Sequence, residues 1–402
     1  MCDKLVAIDA KLAIVPQLAT SWNWSADNLA LTLKLRPGVT IQDGEAFDAT
    51  AVQVNFDRYR TASYSLRKVE LAAVKSVEIV DPLTVTLRLS TPNALERFSG
   101  FWDAKNVFLD RITYCPIPNT AIKRVNLVSG QLDLIERMAA SDAPAVKKNL
   151  DLQLLTQPAL AYQAILFNID KEPAAKTLFS TDKPVRRAFE MPIDRAVINQ
   201  VAFEGRQTRS NQSEAPSTLY WDPAFPTRPR DVEGAKKLLR EVGLTRVPLT
   251  LQVDNSPVSV QVGELLQSMA SEAGFDVKIL ATETNSAVNA AKAGDFQAYT
   301  VIWSGRADPD GNPSIWLSKN GFLNWGNYQN PDYDALLCQA RGLTDPVLRN
   351  ALYARADAIF QQDTPMVVLF HQTWLFAASK KLSGLNLVPD GLIRPQGIKL
   401  AD

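Results

Sequence analysis

The chain has 402 residues, 46% of them hydrophobic, and its 43 lysines and arginines balance 43 aspartates and glutamates. That length supports two or three domains with cores of their own, and the neutral balance supplies no overall field toward nucleic acid or an anionic membrane. No run of about eighteen apolar residues occurs, which excludes an ordinary membrane-spanning helix.

The N-terminus carries neither the basic segment nor the apolar core of a secretory signal. Without that apolar run, Cys2 reads as an accident of where the chain begins and not as a lipidation site. Cys115 and Cys338 complete an odd set with no close spacing, so neither a disulfide framework nor a zinc site is expected. Leu29, Leu31, Leu33 and Leu35 alternate with Ala30, Thr32, Lys34 and Arg36, the period of a strand with one buried face. Pro37-Gly38 then reverses the chain, Asp43-Gly44 marks a second turn, and Asp48 is placed to cap a helix carrying Val52, Phe56 and Tyr59 on one face. A hairpin follows: Val77 and Ile79 lead into the Asp81-Pro82 turn, and Leu83, Val85, Leu87 and Leu89 return with Thr84, Thr86 and Arg88 on the exposed face.

These residues carry a resemblance. Ser21-Trp22, Leu33-Lys34-Leu35-Arg36-Pro37-Gly38-Val39, Gln42-Asp43-Gly44 and Phe47-Asp48-Ala49 together resemble the signature of the family 5 solute-binding proteins, the peptide, nickel and glycoside receptors of ABC importers; Ile41 stands where that pattern usually has phenylalanine. The resemblance implies an α/β chain with the two-lobed periplasmic binding protein fold of the class II, cluster C type. One large lobe would be formed by residues 1–163, including a hairpin subdomain at 40–92, and completed by a return at 371–402. The small lobe would span 164–370. Part of the large lobe is expected to be missing. The chain begins after the family's first strand and its export signal, and Pro92-Asn93 runs directly into Ala94-Leu95-Glu96 where relatives insert a subdomain-sized stretch.

Further along, residues 121–132 read as a helix ended by Gly130, 132–135 as a short strand, and 144–148 as a short helix. A strand is expected at 109–114, and two separate strands at 152–155 and 162–168. Asp182 and Pro184 introduce a helix through Phe189, which Pro192 either ends early or destabilises. Helices at 193–201, 235–242 and 262–273, the last two stopped by Gly243 and Gly274, alternate with strands at 247–253 and 277–280 in the manner of an open α/β sheet. Another helix at 352–362 precedes an apolar strand at 366–370, with further large-lobe segments at 375–378 and 385–388.

The strand expected at 299–303 runs into Ser304-Gly305-Arg306-Ala307-Asp308-Pro309-Asp310-Gly311-Asn312, the kind of loop where α/β sheets place a binding crevice. The resemblance makes it a ligand loop of the small lobe, with Trp303, Ser304, Gly305, Arg306, Asp308 and Asn312 as candidate contacts. Where peptide receptors of this family place an acidic residue for the ligand's amino terminus, this chain has Arg306. A guanidinium repels an ammonium and forks onto a carboxylate or phosphate, so the ligand is expected to present an anionic or neutral polar group there, unless Arg306 pairs with Asp308 or Asp310. Alternate oxygens at Asp308, Asp310 and Asn312 suggest calcium, but Pro309 breaks the spacing and no glutamate follows, which favours a turn and no metal. The aromatic cluster Phe322-Leu323-Asn324-Trp325 supplies Asn324 and Trp325 as cavity-wall candidates, with Phe322 assigned to packing, Trp316 open between core and site, and Tyr162 a candidate from the opposite lobe.

His371 is the single histidine and has no nucleophile or ligand set in the sequence around it; no GxSxG, phosphate loop or HExxH is present. The expectation is therefore a monomeric, periplasmic, non-enzymatic receptor without cofactor, which binds a peptide or small polar solute and delivers it to ABC permease subunits. The alternative is a truncated, non-functional or regulatory relic of such a receptor.

Overall fold

The computed structural model describes residues 4–8, 14–25, 29–41, 44–61, 71, 74–89, 108–109, 112, 115, 117, 120–394 and 397–401. Asp43 of the second expected turn, the Pro92-Asn93 junction and most of the expected 109–114 strand lie outside them. The chain divides into two compact units, Met1–Asn106 with Cys338–Leu352, and Val107–Leu337 with Tyr353–Asp402.

In the first unit β1 (Val6–Ile8) pairs with β2 (Ile14–Pro16). Strands β3 (Ala19–Trp24), β4 (Ala30–Leu35), β5 (Val74–Asp81) and β6 (Thr84–Leu89) form an antiparallel sheet of order β3-β4-β6-β5. Leu31, Leu33 and Leu35 on β4 pack with Val85 and Leu87 on β6 and with Ala49 and Val52 of helix α1 (Ala49–Thr61). Asp48 caps α1 by accepting the Ala51 N–H at 2.9 Å, and Gly38 takes a positive φ in the turn. Two expectations fail. Tyr59 and Ile79 face solvent, because the sheet is narrow and its core ends at Val52, Phe56 and Val77. Thr84 and Thr86 are buried: β6 lies inside the sheet, and Lys34 Nζ donates to Thr84 Oγ1 at 2.8 Å while Thr86 Oγ1 sits 3.0 Å from Thr32 Oγ1.

The second unit contains α2 (Thr120–Val128), β7 (Leu134–Ile135), α3 (Ala143–Lys148), β8 (Leu152–Phe167), α4 (Leu178–Thr181), α5 (Lys183–Glu190), α6 (Arg195–Phe203), β9 (Thr208–Arg209) and α7 (Val232–Glu241). It continues through β10 (Val247–Asp254), α8 (Pro257–Glu272), β11 (Phe275–Thr282), α9 (Thr284–Ala293), β12 (Ala298–Trp303), α10 (Pro313–Leu317) and α11 (Pro331–Arg341). Last come α12 (Pro346–Asp363), β13 (Met366–Ser379), β14 (Leu382–Ser383) and β15 (Lys399–Leu400); α11 and α12 also supply residues 338–352 of the first unit. The main sheet runs β11-β10-β12-β8-β13-β7, with β9 also on β13; β10 is parallel to both its neighbours, and the remaining pairs are antiparallel.

The strands expected at 152–155 and 162–168 are one sixteen-residue strand, and those at 366–370 and 375–378 are one fourteen-residue strand. Pro158, which suggests a break because it has no N–H to give a ladder, is tolerated at a bulge of β8 itself, where the register passes from Tyr162 opposite His371 to Pro158 opposite Thr373 and the extra residues lie on β8. The expected lobe boundaries at 163/164 and 370/371 thus fall inside unbroken strands. Residues 385–388 form no strand.

Helix ends follow the local chemistry. Asp182, Asp194 and Asp231 accept N–H groups at the starts of α5, α6 and α7, and α5 stops at Glu190 before Pro192. At the end of α7 the Gly243 N–H bonds Arg240 O and the Leu244 N–H bonds Leu239 O, the paired closure that a positive-φ glycine permits. The core beneath the sheet is aromatic at its centre: Phe167, Phe179, Phe189 and Phe275 meet with ring centroids 5.3–5.9 Å apart.

Candidate functional site

Directly opposed residues of paired strands project to the same face of a sheet. Trp303 on β12 is opposite Tyr162 on β8, Tyr162 is opposite His371 on β13, and His371 is opposite Thr208 on β9. The register therefore lines up four side chains across four strands, at the point where β12 gives way to the 304–312 loop.

The loop is closed on itself. Asn312 Oδ1 accepts the Arg306 N–H at 2.8 Å and its Nδ2 donates to Arg306 O at 3.1 Å, while Trp303 Nε1 donates to Gly311 O at 3.0 Å. The Arg306 guanidinium lies 4.4 Å over the Trp303 ring, and its Nη1 donates to Ser304 Oγ and Gly305 O. Two glycines make this possible. A Cβ on Gly311 would sit 2.5 Å from Arg306 Cγ, and one on Gly305, which has φ of +70°, would sit 2.3 Å from Leu160 O. Asp308 accepts the Asp310 N–H, and Asp310 accepts from the Ser314 hydroxyl, so both carboxylates shape the turn leading into α10.

Behind the loop the aromatics are continuous. Trp316 meets Trp303 edge-on at 6.1 Å and Trp325 edge-on at 5.4 Å, and Trp325 stacks on Tyr299 at 6.4 Å. Trp303 and Trp325 are half-buried and offer ring surface, whereas Trp316 is buried and belongs to the core. Phe322, expected to pack, is 36% exposed. Asn324 spends its amide on Ser318 O, Tyr328 O and the Tyr328 N–H, which makes it a clamp of its own loop.

Tyr162 departs from its expected place. It stands beside Trp303 in the same sheet, not across from it, and it is fully buried with its hydroxyl unpartnered. Burial, with Glu214 nearby, raises its pKa well above the usual tyrosine value. Its ring meets that of His371 edge-on at 5.7 Å. His371 Nε2 lies 3.1 Å from Gln212 O, which fixes the proton on Nε2; burial outweighs the surrounding carbonyls and pulls the imidazole down to about 4, so it is neutral.

Sequence reasoning missed the polar groups packed over this row. Ser210, Asn211, Gln212, Ser213 and Glu214 drew no assignment from the sequence, yet all are buried. Gln212 donates to Asp222 O and Phe225 O, and Gln361 bonds Asn211 O. Glu214 accepts from the Ser213 hydroxyl at 2.7 Å, and its Oε1 is buried without a partner. Asp357 on α12 and Tyr333 on α11 are buried within electrostatic reach of Glu214. Only the density of small polar residues before Pro216 hinted at a segment whose backbone needs internal partners.

Comparison with known proteins gives this arrangement a family. The model of bacterial extracellular solute-binding proteins, family 5, matches residues 13–96 and 93–324. The glutathione-binding protein GsiB of Pectobacterium atrosepticum is 26% identical over 451 residues, covering 96% of this chain and 86% of that protein, and GsiB of Escherichia coli K12 is 25% identical over 448. An alignment of 451 positions on a 402-residue chain means that the relative carries stretches without a counterpart here, and the family match itself breaks at 93–96, in line with the gap expected after Asn93. Among solved structures, the oligopeptide-binding protein AppA of Bacillus subtilis with a nonapeptide superposes with a TM-score of 0.84 at 21% identity, covering 99% of this chain and 92% of that one. The periplasmic binding protein DppA of Helicobacter pylori with the peptide STSA gives 0.83 at 21% identity, covering 100% and 92%, and NikZ of Campylobacter jejuni with Ni(L-His) gives 0.82 at 19%, covering 98% and 91%. The fold is that of the two-lobed periplasmic binding proteins, and the chain belongs to the family 5 bacterial extracellular solute-binding proteins.

Proposed function

We propose that this protein is the solute-capturing component of an ABC importer, which holds a peptide or similar small polar solute and hands it to membrane permease subunits without making or breaking a bond. The family match over residues 13–96 and 93–324 carries this reading. Relatives named for glutathione, peptides and nickel complexes set the range of solutes to try. Capture would proceed by hinge closure of lobes 1–163 with 371–402 and 164–370, and β8 and β13, unbroken past both boundaries, are the segments that would join them. The receptor would act as a monomer in the periplasm.

The ligand loop is proposed to be 304–312, with Trp303 and Trp325 supplying flat apolar area and Arg306 setting the charge preference. With Nη1 engaged by Ser304 Oγ and Gly305 O, Arg306 would act on a solute through its charge, which suits a carboxylate or phosphate and opposes an ammonium. A thermal-shift screen of the purified chain against glutathione, N-acetylated and free-amine dipeptides, opines, sugars and metal chelates tests both points. A solute that prefers the folded form stabilises it by about 2.7 kcal/mol at a hundredfold excess over Kd. Acidic and N-acetylated solutes are expected to outrank free-amine dipeptides, and Arg306→Glu to reverse that order. Free-amine dipeptides binding best to the unmodified protein would remove the Arg306 assignment, and no shift with any solute class would count against capture itself.

A further inference from the structure

A cavity of about 200 Å³ opens in the main-sheet unit between the end of α5, the turn into α6 and the segment that leads into α7. It shares no residue with the 304–312 loop. Three guanidiniums line it, those of Arg187, Arg195 and Arg228, against the two carboxylates of Glu190 and Asp231, which leaves one net positive charge. Both oxygens of buried Glu190 are taken: Oε1 accepts from Arg195 Nη2 at 2.8 Å and Oε2 from Arg187 Nη1. Asp231 Oδ1 accepts the Gly234 N–H at 2.8 Å, and a Cβ on Gly234 would collide with its Oδ2, so this carboxylate is committed to the start of α7, where the helix dipole offsets its charge. The donors left over belong to the arginines. Among the described residues, Arg187 Nε and Nη2 and Arg195 Nη1 have no acceptor, and exposed Arg228 makes neither a hydrogen bond nor an ion pair.

The walls are held before any ligand arrives. The Asp231 N–H donates to Met191 O at 2.8 Å, Arg230 Nε donates to Pro192 O at 3.0 Å, and Arg230 Nη2 pairs with Glu272 at 2.6 Å, which pins the 228–231 segment to the turn between α5 and α6. Pro229 further confines the Arg228 backbone to extended conformations. The remaining wall is apolar, from Met191, Ile193 and Pro229. A preformed hollow with hydrocarbon on one side and unspent guanidinium donors on the other suits a planar carboxylate, which a guanidinium grips in a two-point fork, carried on a short apolar body. We infer that this cavity is a second binding site of the chain, for a small aliphatic monocarboxylate, with Arg228 at its exposed side selecting the anion. One net positive charge is matched by a monoanion, and the space, several times the ~30 Å³ that a water occupies, admits a body of only a few carbons.

Calorimetric titration of the full chain at pH 7 with isovalerate, isovaleramide and inorganic phosphate, joined to hydrogen exchange over 228–234, tests this. Isovalerate is expected to bind and to protect the amides of that segment, and isovaleramide and phosphate to bind at least about tenfold more weakly. Arg228→Gln, at an exposed position without partners, is expected to keep the melting temperature of the parent and to weaken isovalerate at least about tenfold. Arg228→Lys, which keeps the charge but not the fork, is expected to fall between the two. Arg306→Glu is expected to leave the isovalerate affinity as it is. Failure of isovalerate to bind, isovaleramide binding equally well, or an affinity lost in Arg306→Glu but unchanged in Arg228→Gln overturns the inference. So does phosphate binding as tightly as isovalerate, since the apolar wall would then contribute nothing. Because the cavity and the 304–312 loop have no residue in common, failure here is separable from failure of the solute screen.

Discussion

Arg186→Met is expected to lower the stability of the unit built on the main sheet by at least about 3 kcal/mol, a fall in melting temperature of roughly 6–12 °C. Arg186 on α5 is 2% exposed and donates only to backbone: Nη1 to Phe179 O at 2.6 Å and Ser180 O at 3.2 Å, Nη2 to Asp363 O at 2.9 Å, and Nε to Asp363 O and Thr364 O at 3.2 Å. These carbonyls lie at the ends of α4 and α12, where helices leave acceptors without partners. One planar guanidinium serves both ends, so its removal strands four buried acceptors at once. The Asp363 side chain beside it accepts from Lys183, from Tyr328 Oη at 2.7 Å and from Asn330 Nδ2 at 3.0 Å, which ties α5 and the 326–330 loop to the same junction. Burial raises the Asp363 pKa, but those three donors together outweigh it and hold the carboxyl below its ordinary value. Arg186→Lys is expected to recover only part of the loss, because an ammonium cannot span both helix ends. Calorimetry or circular dichroism on the three proteins decides it, and a methionine variant within 1 kcal/mol of the parent would contradict the account.

Gly305→Ala is expected to weaken solute binding at least about tenfold, equivalent to about 1.4 kcal/mol, while the rest of the fold persists. Gly305 opens the proposed ligand loop at a positive φ and lies so close to β8 that a Cβ would meet Leu160 O at 2.3 Å. The strand is held there, since the Leu160 N–H is bonded to Pro389 O and Pro158 and Tyr162 on either side are paired with β13. The loop must therefore move, carrying Arg306 off the Trp303 ring and Asn312 off its two bonds to Arg306. Gly243→Ala is the matched control: φ is +76° but the space is open, so it carries only the backbone strain of about 1–2 kcal/mol and leaves binding intact. Titration with the best solute from the thermal-shift screen gives the comparison. Equal affinity for the Gly305 variant and the parent would show that the loop's shape does not matter to capture.

How legible each part was depended on the range of the interactions that fix it. Asp48, Asp182, Asp194, Gly243 and Gly274 act on backbone groups within a few residues, so helix ends could be read directly. Alternation fixed the Leu31, Leu33 and Leu35 face for the same reason. Tyr59, Ile79, Thr84 and Thr86 were misplaced because exposure at a position depends on how far a sheet extends beside it, which no local period records. Pro158 concealed the length of β8, since a proline is tolerated where its own strand bulges, and that bulge exists only in the pairing with β13 more than two hundred residues later.

The residue pattern by itself determined the family, the run of strands and helices, and the existence of an aromatic, arginine-bearing loop after β12. Tertiary structure alone decided that Tyr162 lies beside Trp303, that Asn312 and Asn324 serve their own loops, and that Glu214 and Asp357 are each shut away from water. The reason is physical. A side chain's propensity and its capping bonds are set by near neighbours in the chain, whereas the charge state and accessibility of a buried acid are set by whatever distant segments remove it from solvent.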